Sequence, residues 1–117
     1  MKVLIVDDNG MMRDVIRMFL EQFKHEVLGE VGDGTKVIEA FQRLRPEVVL
    51  LDLVMPGVTG VDVLQQLKAL DPAAKVVVIT AVEQDETDKI VMQRGAAAIL
   101  RKPFDSQELK DVMDRLV

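Results

Sequence analysis

Three unbroken runs of aliphatic residues, most of them β-branched, constrain the fold of this chain more than any other feature. They are Val3 to Val6, Val48 to Leu51 and Val76 to Ile79. A strand that is apolar at every position must be covered on both faces, which is typical of a parallel sheet enclosed by helices. The stretches Glu26 to Val31 and Ala97 to Arg101 are mixed or built partly of small residues, so we expect them to form the edge strands.

The segments between these runs show the period of helices. Apolar residues recur three and four positions apart, so each segment presents a stripe that can cover one face of the sheet. We expect a further helix over residues 83–94, with a loosely held first turn because its beginning is strongly polar. The stripes are Met12, Val15, Ile16, Phe19, Leu20 and Phe23; Val37, Ile38, Phe41 and Leu44; Val63, Leu64, Leu67 and Leu70; and Leu109, Val112, Met113 and Leu116.

This alternation predicts an α/β fold, a doubly wound (βα)5 three-layer sandwich with a five-stranded parallel sheet. With the weaker strands at the edges, the strand order 2-1-3-4-5 follows most simply, as in flavodoxin-like folds. A chain of 117 residues builds one core rather than two, so residues 1–117 are expected to form a single domain. In such sheets, sites form beyond the carboxyl ends of the strands where the strand order reverses.

The charge and composition of the chain limit the classes of partner that it can bind. The net charge of −5 argues against binding nucleic acid or anionic lipid, because both require a basic face. A protein partner or a cation is favoured instead. The absence of cysteine excludes disulfides, thiolate metal sites and thiol nucleophiles, and it fits a reducing compartment. The longest apolar runs fall far short of the roughly 20 residues that span a bilayer, so we expect a cytoplasmic protein.

Reactive side chains follow four of the expected strands. Asp7 and Asp8 come after the first strand, Asp52 after the third, Thr80 after the fourth and Lys102 after the fifth. Taken singly, each fits a helix cap or a solvated surface residue. Together they place three carboxylates at one rim, where each pair about 4 Å apart repels by roughly 4 kcal/mol at an effective dielectric near 20. A hard divalent cation would offset this repulsion, and Mg²⁺ suits so few ligands better than Ca²⁺.

The same set of groups fits phosphoryl transfer, which mainly requires positioning and charge compensation. Mg²⁺, Lys102, and the Thr80 hydroxyl with the backbone N–H beyond Asp52 can each take one phosphoryl oxygen. Asp52 is central, and carboxylates can form acyl phosphates. We therefore expect Asp52 to be the nucleophile.

The chain resembles the receiver domain of two-component response regulators, of the stand-alone kind similar to the chemotaxis regulator, over essentially its whole length. Several short motifs, in this order and at strand ends, carry the resemblance. They are Val3-Leu4-Ile5-Val6-Asp7-Asp8, Asp52-Leu53-Val54-Met55-Pro56 followed by Gly60, Thr80-Ala81, Gly95-Ala96 and Lys102-Pro103-Phe104.

The resemblance implies a role for each site residue. Asp52 is the phosphoacceptor, and Asp8, Asp52 and the backbone carbonyl of Val54 bind Mg²⁺, with Asp7 holding it partly through water. Thr80 resembles the hydroxyl that moves toward the phosphoryl group, and Lys102 resembles the ammonium that contacts it.

The resemblance also implies a cis peptide bond before Pro103. The implied partners are a histidine kinase or phosphotransfer domain as donor, a downstream effector protein, and a second copy of the chain on activation.

Three positions depart from the common pattern. Ile99 stands where many receivers carry an aromatic residue that turns inward on activation, so we expect signalling through backbone shifts of residues 81–86 and the following helix. Val54 and Val82 stand two residues beyond Asp52 and Thr80, at positions that adjust hydrolysis of the acyl phosphate. Neither valine can orient a water molecule, so we predict slow loss of the phosphoryl group.

Two other functions compete with a signalling switch. One is an Mg²⁺-dependent phosphohydrolase with an aspartyl nucleophile, but such enzymes carry an acid two residues beyond the nucleophile, where Val54 stands. The other is a binding module in which the acids are relics, against which the complete set of acids, hydroxyl and ammonium argues.

Overall fold

The computed structural model describes residues 1–81 and 85–116, which form a five-stranded sheet covered by helices on both faces. The strands of this sheet are β1 (Lys2–Val6), β2 (Glu26–Val31), β3 (Val48–Asp52), β4 (Lys75–Thr80) and β5 (Ala98–Arg101). The helices are α1 (Gly10–Gln22), α2 (Val37–Leu44), α3 (Gly60–Leu70), α4 (Asp85–Gln93) and α5 (Ser106–Arg115). A single 3₁₀ turn (Gly34–Lys36) precedes α2.

The strands pair in the order β2-β1-β3-β4-β5, and every pairing is parallel. This confirms the expected α/β architecture and the placement of the two weaker stretches at the edges. The order reverses between β1 and β3, so the carboxyl ends of these neighbouring strands bound the switch point of the sheet.

Alternate residues of each central strand pack into different hydrophobic clusters. Leu4 lies in the cluster under α2 and α3, while Ile5 lies in the one under α1 and α5. Both side chains are inaccessible to solvent, because a strand with helices on both faces buries both sets of side chains. Burial on both faces of the sheet is therefore the reason that these runs are apolar at every position, as the sequence indicated.

Two residues of the predicted stripes are exposed to solvent. Val15 is 39% exposed and Leu70 is 47% exposed, whereas Ile16 and Leu20 are fully buried. Successive helical residues are turned by about 100°, so Val15 lies well away from the line on which Ile16 and Leu20 meet the sheet. The stripe on α1 was thus predicted too wide.

Polar side chains cap the N-terminal ends of two helices. Asn9 caps α1, where its side chain accepts a hydrogen bond from the backbone N–H of Met12. Asp105 caps α5 and forms a reciprocal capping box with Glu108. The expected loose beginning of α4 lies partly in residues 82–84, outside the described residues.

A short antiparallel hairpin, formed by Val54–Met55 and Val58–Thr59, follows β3 and was not predicted. Strands of two residues are too short to show a period of two. The available signal was Pro56-Gly57, since a turn with proline and then glycine is favoured where the glycine adopts positive φ, and Gly57 has φ 88°. The hairpin leads directly into α3, which Thr59 caps through its hydroxyl oxygen.

Within the described part of the chain, no helix combines the length and the apolar character that crossing a membrane would need.

Candidate functional site

Three carboxylates meet at the carboxyl edge of the sheet. Asp7 follows β1 directly, Asp8 is next in sequence, and Asp52 is the last residue of β3. Each offers one carboxylate oxygen that lies within 4.8 Å of the others. Asp7 is 1% exposed and Asp52 is 6% exposed, whereas Asp8 is exposed. The cluster is therefore a half-enclosed acidic site with one side open to solvent.

Lys102 brings a positive charge into this cluster from the end of β5. Its Nζ donates hydrogen bonds to Oδ2 of Asp7 at 2.8 Å and to Oδ2 of Asp52 at 3.3 Å. Its backbone N–H donates to the carbonyl oxygen of Thr80 at 3.0 Å. The Lys102–Pro103 peptide bond is cis, as the resemblance implied.

The Asp52 carboxylate is held from two sides. The backbone N–H of Val54 donates to Oδ1 at 3.0 Å, and Lys102 contacts Oδ2. Burial raises the pKa of Asp52 above its ordinary value, and the hydrogen bond from Val54 and the charge of Lys102 oppose that rise. One carboxylate oxygen is thus bound to the hairpin and the other to the ammonium.

The remaining predicted residues lie around this center. Thr80 ends β4 at the same edge of the sheet and is 2% exposed. Val54 is 65% exposed, so its side chain points into solvent at the rim. Ile99 is half-buried on β5 and packs against the cluster under α2 and α3. Val82 lies outside the described residues.

The donor set fits a magnesium ion. The three side chains offer oxygen ligands, which hard divalent cations prefer. In the described part of the chain, the positive charge of Lys102 stands against the negative charges of three acids, so the cluster has an excess of negative charge that a cation can offset. The open side at Asp8 also leaves room for the water that Mg²⁺ keeps.

One side-chain contact at this edge of the sheet was not predicted from the sequence. Arg13, in the first turns of α1, donates from a terminal guanidinium nitrogen to the backbone carbonyl of Asp7 at 2.6 Å. The signal that could have found it is its position four residues beyond the Asn9 cap, which returns a long basic side chain toward the preceding loop.

The family of the chain follows from comparison with known sequences. A family model described as the response regulator receiver domain matches residues 3–114. The chain belongs to this family. The match runs from β1 into the last turn of α5, so it includes every site residue named above.

Individual relatives agree with this assignment over nearly the whole chain. Protein CcdB of Bacillus subtilis strain 168 is 33% identical over 116 residues, 99% of this chain and 97% of that protein. The chemotaxis protein CheY of Thermotoga maritima is 30% identical, over 98% of this chain and 96% of that protein. The chain is therefore a CheY-like receiver domain, and accepting a phosphoryl group is the role of its family.

A solved structure shows the same fold. In the CheX–CheY–BeF₃–Mg²⁺ complex from Borrelia burgdorferi, the matched chain superposes with a TM-score of 0.93 at 25% identity, over 99% of this chain and 89% of that one. Receiver domains bind Mg²⁺ at an acidic pocket, and in this chain Asp7, Asp8 and Asp52 form a cluster of acidic residues.

Proposed function

We propose that Asp52 is the phosphoacceptor of this receiver domain and that it takes the phosphoryl group from a phosphohistidine donor. The observation that carries the proposal is the environment of its carboxylate. Asp52 is centrally placed among two further acids and is bound by an ammonium and by a backbone N–H. These are the groups that position and neutralise a transferring phosphoryl group.

In the proposed reaction, an oxygen of ionised Asp52 attacks phosphorus as the bond to the donor nitrogen breaks. The electron pair of that bond stays on the donor imidazole, which takes a proton from water. The hydrogen bonds from Val54 and Lys102 favour the ionised carboxylate and oppose the effect of burial. After transfer, Lys102 remains within reach of a phosphoryl oxygen beside Asp52.

The proposed metal ligands are Asp8, Asp52 and the carbonyl of Val54, with Asp7 acting through water. When bound, Mg²⁺ supplies neutralisation of the charge on the phosphoryl oxygens. Lys102 already contacts both buried acids, so the ion has to offset the charge of the exposed Asp8 and of the incoming group.

We propose that the donor is a histidine kinase or a phosphotransfer domain, and that the product changes binding to an effector protein. The complex of a CheY with CheX supports a protein partner. We also propose that the domain catalyses its own phosphorylation and its own slow dephosphorylation. It does not turn over an external substrate repeatedly.

The test is incubation with a small phosphodonor and Mg²⁺, followed by intact mass analysis. We expect a mass gain that is stable to acid, labile to alkali and absent from Asp52→Asn. Asp62→Asn, which changes an exposed acid in the first turn of α3, is the matched control and should retain the gain. A mass gain in Asp52→Asn would move the acceptor elsewhere, and steady release of phosphate from phosphomonoesters would restore the phosphohydrolase hypothesis.

A further inference from the structure

Arg13 bridges the acidic site and the edge strand β2. One terminal nitrogen donates to the carbonyl oxygen of Asp7 at 2.6 Å, and Nε donates to Oε1 of Glu30 at 3.3 Å. The Arg13 and Glu30 side chains are each 23% exposed. We propose that Arg13 is a positioning residue for the metal ion, and that it acts by fixing the peptide unit between Asp7 and Asp8. This inference rests on the function proposed above.

The Asp8 carboxylate needs such support. Within residues 1–81 and 85–116, no hydrogen bond or ion pair holds its side chain. The planar peptide unit that joins Asp7 to Asp8 fixes the N–Cα bond of Asp8, from which the side chain departs. The carbonyl group of that unit is the acceptor for Arg13.

Asp7 itself is anchored at its other polar groups. Its backbone N–H donates to the carbonyl oxygen of Val31, and its carboxylate accepts from the backbone N–H of Asn9 and from Lys102. With the amide and the carboxylate of Asp7 fixed, Arg13 holds the carbonyl that leads to Asp8. Its hydrogen bond completes the fixation of the loop between β1 and α1.

Because Glu30 pairs with its charge, Arg13 contributes to the site by orienting the loop rather than by its electric field. The Glu30 carboxylate pairs with Arg13 and also, at 2.6 Å, with Nε of Arg17. A guanidinium beside a carboxylate exerts little net field on the acids across the loop. Arg17 shares the same glutamate, and its described hydrogen bonds go to Glu30 and Glu21 rather than to the loop. Arg17 is therefore the matched control.

Gly32 offers a way to move the guanidinium without removing it. A Cβ atom at this position would lie 2.8 Å from a terminal nitrogen of Arg13. The atom that must shift is the far end of a flexible side chain, so the fold should accept Gly32→Ala. That variant keeps every charge and displaces only the group that binds the Asp7 carbonyl.

The experiment is a titration of metal-free protein with Mg²⁺, followed by NMR amide shifts, for wild type, Arg13→Gln, Gly32→Ala and Arg17→Gln. We expect the Kd for Mg²⁺ to rise about tenfold in the first two variants, as for other groups that orient metal ligands. Arg17→Gln should leave the Kd unchanged, because the hydrogen bonds of Arg17 go to Glu30 and Glu21 and not to the loop that carries Asp7 and Asp8.

Phosphorylation measured against Mg²⁺ concentration gives the second readout. The half-saturating Mg²⁺ concentration should rise in Arg13→Gln and Gly32→Ala, while the rate at saturating Mg²⁺ changes less. An unchanged Kd in Arg13→Gln overturns the inference, as does an equal rise in Arg17→Gln. Should Arg13→Gln be unfolded by circular dichroism, Gly32→Ala decides. A wild type that binds Mg²⁺ but gains no phosphoryl group contradicts the proposed function instead, and the Kd values still test the positioning role.

Discussion

The Nζ atom of Lys102 lies 2.8 Å from Oδ2 of Asp7, although 95 positions separate the two residues in sequence. Asp7 follows β1 and Lys102 follows β5, and β3 and β4 lie between these strands in the sheet. The lysine therefore reaches across the carboxyl edge and passes Asp52 on the way. Burial lowers the pKa of Lys102, but the hydrogen bonds and charges of Asp7 and Asp52 outweigh it and raise the pKa overall.

Removal of this ammonium should destabilise the metal-free protein. Lys102→Met leaves the carboxylates of Asp7 and Asp52 buried without their cation, and breaking a buried pair costs about 3–5 kcal/mol. The lysine side chain is 19% exposed, so we expect a loss of about 2 kcal/mol in the free energy of unfolding, reduced from that range by solvent screening. Urea unfolding followed by far-UV circular dichroism measures it, because the chain has neither tryptophan nor tyrosine.

The double variant Lys102→Met/Asp7→Asn separates charge from packing. Because one of the two uncompensated carboxylates is gone, it should recover part of the lost stability. No recovery would mean that the lysine stabilises the fold through the packing of its alkyl chain.

Gly60 should tolerate no side chain. A Cβ atom here would lie 2.5 Å from the Cα of Leu53 and 2.8 Å from its carbonyl oxygen, and backbone atoms cannot turn aside as a side chain does. We expect Gly60→Ala to lower the free energy of unfolding by about 2 kcal/mol, in the range for overpacking. Gly10→Ala is the control, because its Cβ would meet only a guanidinium nitrogen at 3.5 Å. Equal losses in both variants would contradict the explanation.

The strands and the acidic cluster could be predicted because both depend on features that the sequence displays directly. Aliphatic runs report burial on both faces, and the carboxyl ends of parallel strands meet at one edge whatever the loops do. Asp7 and Asp52 therefore had to be neighbours once β1 and β3 were neighbours.

Other features depend on tertiary contacts or leave only a weak signal in the local sequence. The exposure of Val15 depends on the rotation of α1 against the sheet, and the bond from Arg13 to the Asp7 carbonyl depends on where α1 begins. The hairpin beyond Asp52 was missed because its strands hold two residues each.

Slow loss of the phosphoryl group stays a prediction, and Val54 makes it testable. This side chain is 65% exposed two residues beyond Asp52, so a polar replacement can be introduced without disturbing the core. We expect Val54→Asn to speed the loss about tenfold, well below the 10²–10⁴-fold typical of full general acid–base catalysis, because an amide can orient water. Val82→Gln tests the second position in the same way. Loss of label from phosphorylated protein gives the rate, and unchanged rates in both variants would contradict the role assigned to the valines.

Stability should fall on mild acidification because of His25. The amino group of Met1 lies 2.9 Å from Nδ1 of His25, and burial together with that positive charge lowers the pKa of the imidazole. The unfolded chain, with an ordinary histidine pKa of about 6.5, therefore binds this proton more readily than the folded protein. The contribution is fully present above about pH 6.5 and is lost as the pH falls through the lower pKa of the folded state. Urea unfolding between about pH 8 and 5 should show a shallower decline in His25→Gln than in wild type, and parallel curves would mean that other groups cause the decline.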